Sequence, residues 1–185
     1  MADGPNEHLP ATVDTAAYMH DPERRQRRLM THDEKALLAA FLDYERDTVL
    51  WKLTGLTDEQ LRVLRTPSGM SLLGLVKHLA YVERSWLQRG FLGQDVYVPW
   101  FSGDEDADFR IEQDETAASV LAFYRAEIDK SNRIAASAEL HDMMAGDARP
   151  RRSLRWILIH LIEETARHAG HADLMREMAD GQIGE

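Results

Sequence analysis

The sequence predicts an all-α protein, a four-helix bundle with a long connection between its second and third helices. Apolar residues recur at helical spacing in four long segments, and no segment alternates apolar and polar residues as a strand would. Residues that cap helices precede these segments, and a glycine follows the last one. The 185 residues are enough for one domain with a sizeable core.

The first long helix is expected to begin at Thr31, because Thr31 and Glu34 have the spacing of a capping box. It should end at Gly55, since apolar residues stop recurring there. A second capping-box pair, Thr57 and Gln60, predicts a short helical turn before the next long helix.

The second long helix is predicted from Ser71, a capping residue, to about Gly90. Residues 91–114 follow and mix aromatic residues with acidic ones without a regular period. A loop of this length in a compact domain often has a function. We therefore expect this loop to border a pocket, with an aromatic such as Tyr97 or Trp100 close to the functional group.

The remaining helices are predicted over residues 115–138 and 152–179, and Gly181 supplies the C-terminal stop of the last one. Residues 1–30 contain three prolines and a cluster of arginines, which is typical of an extended arm. The predicted organisation is thus an N-terminal arm, residues 1–30, followed by one helical domain, residues 31–180.

Composition excludes several classes of protein. The formal net charge of −10 argues against a nucleic-acid partner, which requires clustered Lys and Arg. The most apolar segment, residues 156–162, is too short to span a membrane, and the N-terminus lacks an apolar run, so we expect a cytoplasmic protein without a membrane partner. There is no cysteine, so any metal must have nitrogen and oxygen ligands. For the oligomeric state, a homodimer stays an open alternative.

A stripe of metal-capable side chains is the most informative feature of the chain. His160, Glu164, His168 and His171 lie within about 80° of one another on one helix face. Apolar residues continue the same stripe at both ends: Ile157, Met175 and Met178. Burying an unpaired imidazole or carboxylate costs on the order of several kcal/mol. A bound metal ion is the best candidate for the partner that offsets this cost.

A third ligand is expected from the second long helix. Aliphatic residues flank His78 at helical spacing, so its ring should face the core. Taken alone, His78 is typical of a hydrogen-bonded core histidine, and a Glu-x-x-x-His pair such as Glu164 and His168 is common on exposed helices. Together they predict a divalent metal site with open positions, with zinc or nickel favoured by the ligands.

Two segments resemble the DinB/YfiT-like superfamily, in particular its actinobacterial branch. Residues 67–84 (PSGMSLLGLVKHLAYVER) are similar to its second helix, and residues 163–173 (EETARHAGHAD) to its last-helix signature. The resemblance implies a four-helix bundle with three metal ligands, here His78, Glu164 and His168. Most members use three histidines, whereas the branch of the mycothiol-dependent maleylpyruvate isomerase has a Glu at the position of Glu164. We interpret His160 and His171 as residues that support the ligands or line the pocket.

The superfamily is associated with transferase and isomerase chemistry that uses mycothiol, bacillithiol or glutathione. The resemblance therefore implies an enzyme that activates a low-molecular-weight thiol for transfer to an electrophile, as in detoxification, or for isomerisation. Mycothiol is the expected cosubstrate. Three alternatives stay open: a metal-dependent hydrolase that activates water, a non-enzymatic stress-response module with a structural metal, and a bundle whose polar stripe is merely hydrogen-bonded internally.

Overall fold

The structure, a computed structural model, describes residues 32–63, 65–104, 106–146 and 150–183. Over these ranges the regular structure is helical, without a strand, which confirms the all-α prediction. The α-helices are α1 (Glu34–Trp51), the short α2 (Asp58–Arg62), α3 (Leu72–Glu83), α4 (Ala117–Ser137) and α5 (Leu154–Asp180). A π-helical segment, Arg84–Phe91, continues α3, and a 3-10 turn covers Pro99–Ser102.

The four long helical segments pack around an apolar interior. Helix α1 lies against α5, and α3 lies against both α4 and α5. Leucines from α3 and from the segment that joins α1 to α2 fill the centre, because their apolar side chains recur on the inward face. Helix α3 therefore has neighbours on two sides, which explains why most of its residues are buried. No helix in the described ranges is both long enough and apolar enough to cross a bilayer.

The start of the first helix differs from the prediction. Helix α1 begins at Glu34, and the side chain of Asp33 caps it by accepting a 2.7 Å hydrogen bond from the Ala36 backbone N–H. A carboxylate at the cap also interacts favourably with the positive end of the helix dipole. Thr31 and the predicted arm, residues 1–30, lie outside the described residues.

The other predicted caps are present. Thr57 and Gln60 form the reciprocal capping box at the start of α2. The hydroxyl of Ser71 caps α3 by accepting the Gly74 backbone N–H, and Ser153, which was not predicted as a cap, caps α5 in the same way. Helix α5 ends at Gly181, which has a positive φ of 77° as a C-terminal stop requires.

The second long helix changes its winding where a single α-helix was expected. At Arg84 the α-helix becomes a π-helix, a form that occurs frequently at functional sites. From this segment, Arg84 donates to the carbonyl oxygen of Tyr97 and Arg89 donates to that of Val96. The π-helical segment therefore anchors the first part of the long loop.

A buried ion pair joins α1 to the end of α3. The guanidinium of Arg46 donates to both carboxylate oxygens of Glu83 at 2.7 Å, and each side chain is 2 % exposed. Arg46 also donates to Asp43 and to Asn132 of α4. These contacts neutralise a charge that would otherwise be very unfavourable in the core.

Candidate metal centre

Three side chains from two helices meet at one point of the bundle. His78 comes from α3, and Glu164 and His168 lie one turn apart on α5. Each offers one ligand atom within 4.8 Å of the other two. Glu164 Oε1 is 3.5 Å from His78 Nε2 and 3.2 Å from His168 Nε2. The structure thus brings together the three residues that the sequence analysis selected.

The geometry and chemistry of this group fit a divalent cation. Ligands at about 2.1 Å around a tetrahedral zinc ion are separated from one another by about 3.4 Å, close to the two distances to Glu164. The Nε2 atom of His78 is buried and has no hydrogen-bond partner among the described residues. Two imidazoles and one carboxylate are ligands that zinc and other first-row metals accept.

The charges in the group favour an ionised Glu164. The hydrogen bond from His168 and the nearby His78 ring hold the pKa of Glu164 well below its usual range. Burial lowers the pKa of His78, but the hydrogen bond to Asp108 and the nearby carboxylate of Glu164 outweigh burial and raise the pKa above its usual value. Arg167, which is half-exposed, donates to the second oxygen of Glu164 at 2.7 Å. The Glu164 side chain is therefore a negatively charged carboxylate, the form that binds a cation.

Asp108 is a residue of this site that the sequence analysis did not select. Its Oδ2 atom lies 2.5 Å from His78 Nδ1, on the side of the ring that faces away from Glu164. Asp108 is 2 % exposed although it belongs to the long loop. A buried acid in a loop has no helical period, so the sequence offered no signal beyond the acidic character of the segment.

The long loop does border the site, in agreement with the prediction. The ring of Phe109 stacks on His78 with centroids 4.1 Å apart, and Trp100 lies 6.3 Å from His78. Tyr97, by contrast, is exposed, and its ring contacts Tyr81 edge-on rather than His78. Of the two aromatics that we expected near the ligands, Trp100 is in place.

The predicted stripe on the last helix is only partly buried. His168 is buried, but His171 and Met178 are exposed, so the core face of α5 passes to one side of them. The ring of His171 lies 5.3 Å from that of His168. His160 is half-buried, stacks on Trp156 and contacts Trp86 edge-on. A supporting role for His160 and His171 stays a prediction.

The loop reaches His78 because a glycine in α3 lets it approach. A Cβ atom added to Gly74 would lie 2.2 Å from the carbonyl oxygen of Phe109, which is closer than nonbonded atoms approach. Next to this contact, Lys77 Nζ donates to the Arg110 carbonyl at 2.7 Å and to Glu115 at 2.8 Å. Gly74 and Lys77 therefore fix the loop end that contains Asp108.

We expect Gly74→Ala to destabilise the fold by about 1–3 kcal/mol, because the added methyl group must displace the Phe109 backbone. Gly170→Ala is the matched control, since Gly170 also lies inside a helix but nothing is within 4 Å of its added Cβ. Alanine there should stabilise by about 0.5–1 kcal/mol through helix propensity alone. Urea unfolding measures both. Equal stabilisation by the two substitutions would contradict the close approach at Gly74.

Comparison with known proteins adds one match. Residues 37–181 match the family model described as mycothiol-S-transferase. The matched range includes His78, Asp108, Glu164 and His168. No curated protein matches the chain.

Proposed function

Because the chain belongs to the mycothiol-S-transferase family, which implies a mycothiol-related S-transferase activity, we propose that it is a metal-dependent transferase. In this proposal His78, Glu164 and His168 bind a divalent ion, with zinc or nickel favoured, and the cosubstrate is mycothiol. The observation that carries the proposal is the convergence of these three ligand atoms within 4.8 Å in a chain of this family.

The residues of the site suit a thiol for three reasons. A bound divalent ion lowers the pKa of a coordinating thiol, and the thiolate is the reactive nucleophile. Three protein ligands leave a coordination position for a small molecule. The chain has no cysteine, so no thiol of its own competes for that position.

The reaction follows from the chemistry of the thiolate. The sulfur donates an electron pair to an electrophilic carbon of the second substrate, a C–S bond forms, and the leaving group departs with its bonding pair. The thiol proton passes to solvent. Phe109 and Trp100 cover His78 on the loop side and so restrict water there. Isomerisation, in which the thiolate adds and later leaves again, uses the same residues.

Cobalt substitution tests this proposal. Mycothiol added to the cobalt-loaded protein should produce a sulfur-to-cobalt charge-transfer band in the near ultraviolet, and His78→Ala should not produce it. Mycothiol and a chlorinated dinitrobenzene should then yield the thioether and chloride. If mycothiol, bacillithiol and glutathione all leave the cobalt spectrum unchanged, the thiol proposal is wrong, and water activation for hydrolysis becomes the leading alternative.

A further inference from the structure

We propose that Asp108 is a positioning residue for His78: it fixes the orientation and tautomer of the ring and strengthens metal binding without being a ligand. The proposal rests on the function proposed above. In this proposal the function of the long loop is to place the Asp108 carboxylate next to Nδ1 of His78.

The position of Asp108 is the first support. With Oδ2 2.5 Å from Nδ1, the carboxylate accepts a hydrogen bond from the Nδ1–H group, and Nε2 is left facing Glu164. The other oxygen, Oδ1, is buried and has no hydrogen-bond partner among the described residues. A carboxylate buried with so few partners is unfavourable for the fold. Its burial is therefore better explained by its effect on His78 than by a contribution to stability.

The rigidity of the surroundings is the second support. Phe109 stacks on the imidazole at an interplanar angle of 14°, so the ring is restricted on one face as well as at Nδ1. The backbone on the C-terminal side of Asp108 is fixed where Phe109 packs on Gly74 and where Lys77 binds the Arg110 carbonyl. Although Asp108 lies in a loop, the two residues that follow it are therefore fixed against α3.

The chemical consequence concerns basicity and charge. A carboxylate that accepts the N–H of a ligating histidine makes the other ring nitrogen a stronger ligand and fixes the ring orientation. Asp108 also adds a second negative charge to that of Glu164. Two neutral rings and two carboxylates together balance the charge of a divalent ion, so the site would attract the ion more strongly than its three ligands alone.

Metal affinity is the first readout. Competition with a chromophoric chelator should give a zinc Kd about 10–100-fold weaker for Asp108→Asn than for the wild type, the range typical of such supporting partners. Asp114→Asn is the matched control, since it makes the same change at an exposed position of the same loop and should leave the Kd unchanged. Circular dichroism of the metal-free variants verifies that both are folded.

The tautomer of His78 is the second readout, and it requires no metal. In the metal-free wild type at alkaline pH, the ¹⁵N NMR spectrum of the neutral His78 ring should show the proton on Nδ1. In Asp108→Asn the proton should shift toward Nε2. A wild-type ring protonated on Nε2, or a zinc Kd unchanged in folded Asp108→Asn, would overturn the proposal.

The two proposals fail in different ways. If the wild type binds no divalent metal, the proposed function is wrong, and the part of the present proposal that concerns affinity falls with it, while the NMR spectrum still decides whether Asp108 orients the ring. If the wild type binds zinc and His78→Ala abolishes binding, but Asp108→Asn binds as tightly as the wild type, only the role of Asp108 is refuted.

Discussion

His168→Ala should lose the divalent ion and retain the fold. The substitution removes one of three converging ligand atoms, so we expect zinc affinity to fall by more than about 100-fold, beyond the effect of losing a supporting partner. The apolar core is formed by residues of all four long helical segments and does not depend on this side chain. Elemental analysis after purification and far-ultraviolet circular dichroism measure the two expectations separately.

A control variant separates the site from a general effect of removing a histidine. His141→Ala changes an exposed histidine in the connection between α4 and α5, and its metal content should equal that of the wild type. Full zinc retention by His168→Ala would refute the proposed ligand set. Unfolding of the metal-free wild type would mean instead that the ion is structural, which would weaken the transferase proposal.

Arg46→Met should cause the largest loss of stability among the substitutions considered. It leaves the carboxylate of Glu83 buried without its bidentate partner, which costs about 3–5 kcal/mol. The double variant Arg46→Met/Glu83→Leu should recover most of this loss, because an apolar pair can replace a buried ion pair at little cost. Urea unfolding of the single and double variants measures both effects.

The chain contains a matched surface pair for comparison. Arg155 donates to both oxygens of Glu34 at 2.7 and 3.1 Å, as Arg46 does to Glu83, but this second pair is exposed to solvent. Arg155→Met should therefore leave the midpoint of unfolding almost unchanged. If Arg46→Met and Arg155→Met had the same small effect, the buried pair would not have the energetic role inferred here.

The helices could be predicted because their signals are local. Caps such as Ser71 and the pair Thr57 and Gln60 act within one turn, and the stop at Gly181 follows from its backbone conformation. The π-helical segment from Arg84 could not be predicted, since nothing in its composition distinguishes it from an α-helix. The predicted start of α1 was wrong because the sequence offers two residues with capping side chains, Thr31 and Asp33, and the prediction chose Thr31.

The candidate site was predictable where it follows helical periodicity. Glu164 and His168 are four residues apart, and aliphatic neighbours indicated that His78 faces inward. The periodicity was less reliable along one edge of the stripe: Ile157 and Met175 are buried as predicted, but the buried face of α5, which packs on both α1 and α3, leaves His171 and Met178 exposed. Asp108 could not be found, since its contact joins residues 30 positions apart through an irregular loop.

The anchoring of the long loop has a consequence for how members of the family can diverge. Arg84 and Arg89 bind the carbonyl oxygens of Tyr97 and Val96, and every residue type has a carbonyl oxygen. Side chains at these two loop positions can therefore drift without loss of the attachment. The C-terminal end of the loop, by contrast, depends on particular side chains. Its approach to α3 requires a glycine at position 74, and its contact with His78 requires an acid at position 108. Under the function proposed above, selection for new electrophiles would thus act on residues 92–104, while the part of the loop that holds Asp108 would stay constant.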